Sequence, residues 1–488
     1  MSLIEGQTEK ESGANLLTRR KGIVMRMAFL FFNAFMCFSG SSSLLGFVYD
    51  KIGLYNLGQV NEFLAYIGFF ISTFFARRII RYFKEVKTAI FTGFLIYGFT
   101  ILASIATYGC YLADTREGFC SILFLRLLNY FTNLTMGLGA PFIWSGQYEL
   151  IDRLSTEEDS KEHFAIFFSW LKFNGVTGNL LNLVFYSFQI NSLIAFTVFY
   201  LGFNISTGSF LCLIPSLNGF DMRKYRTIKP KDSDEGDNKQ SVMSESGGTI
   251  IGEHSEVSVV DRAAGLAKPQ NSSEQQPEPE VEPEEQTTVM QEVKAVFQTT
   301  TLPKVRQLIP FMIQAGLYQG FLAGMMYRLV VKVYESTDKS DIFQKKVISL
   351  VMIVHSLGAM AASQILSRLS RSVRQLTIRL SSCMYSILCV LLMLIYEDLD
   401  DVTYVFEMVL IYGALEVCFN QLTSVYLSEH LPGNLEAFSV FKQCQNAFTF
   451  LFMAAYITLS PDIFRKVNAT INVGMSVSLL LMFRGKHA

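Results

Sequence analysis

The chain of 488 residues is 50% hydrophobic and 14% aromatic, with only 17% charged residues and a formal net charge of −1. Soluble proteins usually carry about 25% charged residues, so the composition predicts a chain whose main solvent is the bilayer. The neutral balance excludes the basic face that a nucleic-acid binder needs, and eight cysteines without a CxxC or Cys/His cluster exclude a structural zinc module.

Residues 1–22 form a polar tail ending in Arg19-Arg20-Lys21. The apolar run behind it superficially resembles a signal peptide, but its leader is long and partly acidic and further spans follow, which identifies it as the first transmembrane helix. Runs long enough to cross a bilayer, about 20 residues each, fall near 23–47, 60–76, 88–108, 120–144, 165–188 and 192–215. A second six fall near 307–333, 346–366, 376–396, 403–427, 438–458 and 467–483. The expected fold is an all-α integral membrane protein with twelve transmembrane helices in two pseudo-symmetric six-helix halves, 23–215 and 306–483. A tail of 484–488 follows.

Short loops on one side are basic. Arg77, Arg78, Arg81, Lys84 and Lys87 lie between spans 2 and 3, Arg368, Arg371 and Arg374 between spans 8 and 9, and Arg223, Lys224 and Arg226 after span 6. An opposite loop carries Glu397, Asp398, Asp400 and Asp401. Basic loops stay in the cytosol, so both termini are expected there, in a plasma membrane or an endomembrane. Cys110 and Cys120 share one outward loop, where they either pair in an oxidising compartment or remain two free thiols.

Residues 216–305 separate the halves. They are rich in Ser, Glu, Gln and Pro, and peak in acidity at Pro277-Glu278-Pro279-Glu280. Such a segment buries too little apolar surface to offset its ordering entropy and is expected to be a disordered cytosolic linker. Val289, Val293 and Val296 share one helical face ahead of Pro303, which predicts a short surface helix at its end.

The two halves echo one another. Phe168-Ser169-Trp170-Leu171-Lys172 recurs as Phe438-Ser439-Val440-Phe441-Lys442, and Gly139-Ala140 with Gln147 as Gly413-Ala414 with Gln421. Duplicated bundles around a midplane site are a common transporter design.

Polar residues inside spans are costly and mark functional candidates. Span 4 carries Arg126, Asn129 and Asn133 on one helical face, span 5 Lys172, Asn179 and Asn182, span 10 Glu416 and Asn420, and span 11 Lys442, Asn446 and Thr449. The 3.6-residue period gives each helix one polar stripe. Arg126, Asn129, Asn133, Asn179, Glu416, Asn420 and Lys442 are the candidate cavity and substrate-binding residues, with a Glu416–Lys442 or Glu416–Arg126 ion pair as gate. Bonding between helices is the competing role for the asparagines, and snorkelling to the surface that for Lys172 and Lys442. His355 in span 8 is a candidate proton shuttle that lacks an identified carboxylate partner. Pro141 is expected to kink span 4.

The stretch from Gly137 and Gly139 through Pro141 and Trp144 to Gln147, then Ala165-Ile166-Phe167-Phe168-Ser169-Trp170, then Gly175-Val176-Thr177-Gly178-Asn179, resembles the uncoordinated-ninety-three family, a branch of the major facilitator superfamily. Lys172 stands where that family commonly has a glutamine. The resemblance implies twelve helices in two halves. It also implies either of two roles, transport of a small polar solute or ion by alternating access, or a non-transporting accessory role toward a channel or receptor. No cofactor or metal is called for, and no nucleophile, base and oxyanion set suggests an enzyme.

Overall fold

The computed structural model describes residues 13–51, 54, 57–113, 117–156, 158–188, 190, 192–217, 288–324, 329, 341–396 and 402–484. Most of the linker, the acidic stretch 397–401 and the extreme tails lie outside the described residues.

The described chain is helical. The first half runs α1 (Gly13–Lys51), α2 (Leu57–Thr73), α3 (Ala76–Tyr82), α4 (Val86–Leu112), α5 (Ile122–Leu154), α6 (Ser160–Ser187) and α7 (Ser192–Leu213). A short helix α8 (Val289–Thr300) then leads into the second half. That half runs α9 (Pro303–Gly324), α10 (Asp341–Ser367), α11 (Arg371–Ile395), α12 (Val402–Val417), a π turn (Cys418–Leu422), α13 (Thr423–His430), α14 (Leu435–Thr458) and α15 (Pro461–Arg484). Span 10 is built from two helices, α12 with α13, whereas α3 follows α2 at a sharp bend and carries Arg77, Arg78 and Arg81 of the basic loop.

Seven helices are long and apolar enough to cross a membrane, and α2 with α3, bent by 72°, makes an eighth. The other four long helices are α5, α6, α9 and α14. Each has at least 22 residues, about 33 Å of helix, which spans the hydrocarbon core. Three of them, α5, α6 and α14, carry polar stripes, and α9 carries Gln314 and Gln319, as expected of helices facing a bundle interior.

Packing repeats at an offset of six spans. In the first half α1 packs on α6 and α7, α2 on α5, and α4 on α7; in the second, α9 packs on α14 and α15, α10 on α12, and α11 on α15. The halves meet through α6 against α10 and α2 against α14. Those are spans 5 and 8, and spans 2 and 11. Adding six to one pair yields the other, the signature of a pseudo-two-fold axis. The repeat loosens at spans 9 and 10, where α11 touches α12 far less than α4 touches α5. There the π turn interrupts span 10 and takes up part of the contact.

Glycines set the closest approaches. A Cβ on Gly137 would lie 2.0 Å from the Ala65 carbonyl oxygen, and one on Gly68 2.7 Å from that of Leu134. In the second half, a Cβ on Gly413 would lie 1.9 Å from the His355 oxygen, and one on Gly358 2.2 Å from that of Leu410. The internal spacing is the same in both halves. The duplication is therefore recorded in backbone contacts between spans 2 and 4 and between spans 8 and 10. The register that pairs Gly137 with Gly413 differs by two residues from the sequence echo, which paired Gly139 with Gly413.

Helix α5 continues through Pro141. Proline has no N–H to give to the carbonyl four residues back. That carbonyl, on Gly137, lies 3.2 Å from Ser72 Oγ of α2, whose one proton it shares with the nearer Gly68 carbonyl at 2.8 Å, so the freed acceptor gains a weak interhelical partner.

Cys110 and Cys120 form a disulfide at one end of the bundle. The opposite, basic end is held by contacts between the halves. Ser428 Oγ and the Gly433 N–H donate to the two oxygens of Asp152 at 2.6 and 2.9 Å, Ser160 Oγ donates to Ser428 Oγ at 3.0 Å, and Arg77 pairs with Glu436. The rings of Tyr148 and Phe438 stack at 4.2 Å across the same junction.

Candidate functional site

Polar residues of spans 5, 10 and 11 gather around Glu416. It lies near the midpoint of the tenth span, Thr403–His430, and its side chain is 8% exposed. Lys172, near the midpoint of α6, places Nζ 2.5 Å from Glu416 Oε1. The pair joins the halves at mid-depth. The structure corrects the expected Glu416–Arg126 and Glu416–Lys442 pairs. Arg126 is exposed, one turn into α5 near the disulfide end, and the Lys442 ammonium turns elsewhere. The correction has a geometric cause: α6 begins at Ser160, several residues before the apolar run at 165, so Lys172 lies too deep to snorkel.

Lys442, its residue 9% exposed, donates to Gln445 Oε1 at 2.8 Å and approaches Asn420 Oδ1 at 3.4 Å. Its ammonium also faces three rings, with centroids at 4.5 Å for Phe441, 5.6 Å for Phe438 and 6.0 Å for Trp144. Such faces partly compensate a desolvated cation. Lys172 and Lys442 are the two lysines of the sequence echo, and each contributes to the electrostatic surroundings of Glu416. Of these symmetry-related cations, Lys172 pairs with Glu416 and Lys442 lies farther off, beside Gln445 and Asn420.

Asn420 sits in the π turn, where its Nδ2 donates to the Glu416 carbonyl at 3.0 Å and its Oδ1 accepts from Gln445 Nε2 at 3.2 Å. A π turn widens the helical hydrogen-bond ladder, and such turns recur at functional sites. On the other side of Glu416, His355 Nε2 lies 3.7 Å from Oε2 and 2.9 Å from the Tyr318 hydroxyl, which donates to the Tyr412 carbonyl at 2.7 Å. Tyr66 of α2 sits among Glu62, Tyr97, Gln319 and Glu416.

The remaining candidates are placed elsewhere. Asn129 accepts from Tyr49 Oη at 2.8 Å and donates to Thr107 Oγ1 at 3.0 Å, tying spans 1, 3 and 4 together within the first half. Asn133 and Asn179 donate back along their own helices, to the carbonyls of Asn129 and Gly175. Among the motif residues, Gly178 lets α6 approach α1, where an added Cβ would meet the Met36 carbonyl at 2.8 Å. Gly139 packs on Ile96, Trp144 packs on Phe35 with centroids 5.2 Å apart, and Gln147 is buried.

Sequence reasoning did not single out Glu62, Tyr66, Tyr318, Gln319 or Gln445. Glu62 carried a usable signal, a carboxylate inside an apolar run. The tyrosines and glutamines carried none, since they read as ordinary span residues. Asp152, which holds the basic end together, was likewise not singled out.

No protein-family model and no curated protein matches this chain, so the likeness to the uncoordinated-ninety-three family has no support beyond its own motif. Among solved structures, the chain is similar to a bacterial homologue of the iron transporter ferroportin, captured in an outward-facing state with soaked iron. The TM-score is 0.56 at 12% identity, over 94% of this chain and 98% of that one. With the duplicated packing and the two inter-half contacts, that likeness makes the chain an all-α, multi-pass membrane protein of the major-facilitator type of fold.

Proposed function

We propose that this protein moves a small polar or anionic solute across its membrane by rocking two six-helix halves about the midplane cluster around Glu416. The observation that carries the reading is the Lys172–Glu416 pair joining the halves at mid-depth. Charges so deep cost several kcal/mol each in lost hydration, and apolar residues hold buried surfaces together as well or better. Ionisable groups kept there point to a pathway. Alternating access requires polar contacts between the halves that break and re-form, and an ion pair beside uncharged amides provides them.

The charge balance favours the solute class. Lys172 pairs with Glu416 and Lys442 stands nearby, while Glu62, the site's other carboxylate, lies beyond Tyr66, so the ring immediately around Glu416 has a surplus of formal positive charge. That suits a carboxylate- or phosphate-bearing solute, or a neutral polar one, better than a cation such as the iron soaked into the ferroportin homologue. The basic end, by the rule that basic loops face the cytosol, is assigned to the cytosolic side.

The test is uptake into proteoliposomes from a panel of labelled carboxylates, phosphates, amino acids and sugars. Wild-type flux that falls at least tenfold in both Glu416→Gln and Lys442→Gln supports the reading. Flux that survives both substitutions removes the cluster from the pathway, and no flux across the whole panel rejects the proposed solute class.

A further inference from the structure

Glu62 on α2 is a second carboxylate inside the bundle, and the cluster around Glu416 leaves it unused. Among the described residues it has neither a hydrogen bond nor an ion pair. Its side chain is half-buried rather than enclosed, so it borders open space. Its charge acts on Tyr49 of α1, Tyr66 of α2 and Tyr97 of α4. The Tyr49 hydroxyl is already committed, donating to Asn129 Oδ1 at 2.8 Å and accepting from Asn61 Nδ2 at 3.3 Å. Asn61 is itself buried, and its Oδ1 has no donor. Two neighbouring side chains of one span therefore hold acceptors that the protein does not satisfy. Unpaired acceptors inside a membrane protein are costly, and an intramembrane carboxylate marks a site for a partner.

We propose that Glu62, Asn61 and the surrounding tyrosines bind an ammonium group of the transported solute, which is therefore a zwitterion, an ammonium joined to a carboxylate or phosphate. The inference rests on solute binding at the Glu416 cluster. A primary ammonium carries three donors, which match the two oxygens of Glu62 and Oδ1 of Asn61. The tyrosine rings add faces that attract a cation.

The neighbourhood of Trp144 supports that class of solute. Trp144 adjoins Tyr97, and the Lys442 ammonium lies 6.0 Å from the centroid of its ring. Tyr66 adjoins Glu62 and Glu416 alike. The Glu62 corner is thus continuous with the surroundings of Lys442. A solute whose ammonium meets Glu62 and whose acidic group meets Lys442 touches α2 of the first half and α14 of the second. An anion alone leaves Glu62 unpaired. A simple amine leaves the positive surplus beside Glu416 unmatched.

The test is equilibrium dialysis of the full chain in nanodiscs against labelled probes that differ only in the ammonium. The pairs are γ-aminobutyrate with butyrate, and phosphoethanolamine with ethyl phosphate. In the wild type the zwitterion of at least one pair should bind about tenfold more tightly than its partner, as one charge-assisted contact provides. Glu62→Gln should erase that preference while the affinity for butyrate and ethyl phosphate stays in place. Lys442→Gln should weaken all four probes. Because the Glu62 carboxylate has no partner to lose, Glu62→Gln should melt no lower than the wild type, which separates lost binding from lost folding. Should it melt lower, Glu62→Asp, which keeps the charge but draws it back, must show the same selective loss. A preference that persists in Glu62→Gln overturns the ammonium site. Equal binding within both pairs in the wild type also overturns it and leaves the anion-binding reading intact. Four probes that all fail to bind overturn that reading together with the ammonium site.

Discussion

Substituting Glu416 should destabilise the protein far more than substituting its partner Lys172, although both changes break the same 2.5 Å ion pair. With an effective dielectric constant near 20, the gross attraction at that distance is about 7 kcal/mol, most of it offset by the desolvation of both ions. What remains depends on the group left behind. Lys172, Lys442 and Glu416 carry formal charges that leave one positive charge in surplus. Lys172→Gln neutralises the cluster, and Glu416 keeps Lys442 and His355 as neighbours, so the cost should be about 1–2 kcal/mol. Glu416→Gln leaves two buried ammonium groups without their nearest carboxylate, and should cost about 3–5 kcal/mol. The double substitution Lys172→Gln/Glu416→Gln returns the surplus to one and should be more stable than Glu416→Gln alone. Thermal unfolding followed with a thiol-reactive dye suits the measurement, because Cys37, Cys389 and Cys418 are buried until the bundle opens. Equal losses in the two single variants, or a double variant as unstable as their sum, would refute the account of the cluster.

Further outcomes follow from other parts of the molecule. Gly137→Ala and Gly413→Ala each drive a methyl group against a carbonyl oxygen about 2 Å away. Each should lower stability by about 1–3 kcal/mol, and Gly413→Ala should also reduce flux by displacing His355. Asp152→Ala removes the acceptor of two bonds between the halves and should raise the rate at which an introduced Tyr148→Cys reacts with a soluble thiol reagent. Burial holds the His163 imidazole, just outside the sixth helix's apolar run, below the ordinary histidine range of 6.5. The unfolded chain therefore binds the proton more readily, and stability should fall as pH drops through about 6.5. His163→Gln should lessen that acid sensitivity in a melting series from pH 8 to pH 5.

The architecture was legible because its determinants are local. Apolar length, basic loops and the period of polar residues each lie within one helix, and they yield spans, halves and stripes. The partners of Glu416 were not legible, because Lys172 lies 244 residues away and three lysine or arginine candidates were chemically equivalent on paper. Arg126 shared a helical face with Asn129 and Asn133, yet it sits at the stripe's edge near the mouth of the bundle and faces outward. Only α6's early start at Ser160, beneath a polar sequence that reads as loop, carries Lys172 to mid-depth. His355 needed a carboxylate partner to be more than a lone imidazole, and that partner comes from a different helix. The echo between the lysines did carry information, since one end of it pairs with Glu416 and the other lies beside Asn420, one turn further along the same span.

Cross-linking Arg77→Cys to Glu436→Cys, in a chain whose six free cysteines are replaced, tests the central claim most directly. The native pair joins the halves at the basic end. Solute uptake into proteoliposomes should be abolished when the bond is oxidised and should return on reduction. The same treatments should leave the parent chain, which keeps only Cys110 and Cys120, unchanged. Undiminished uptake through fully cross-linked protein would contradict transport by two moving halves.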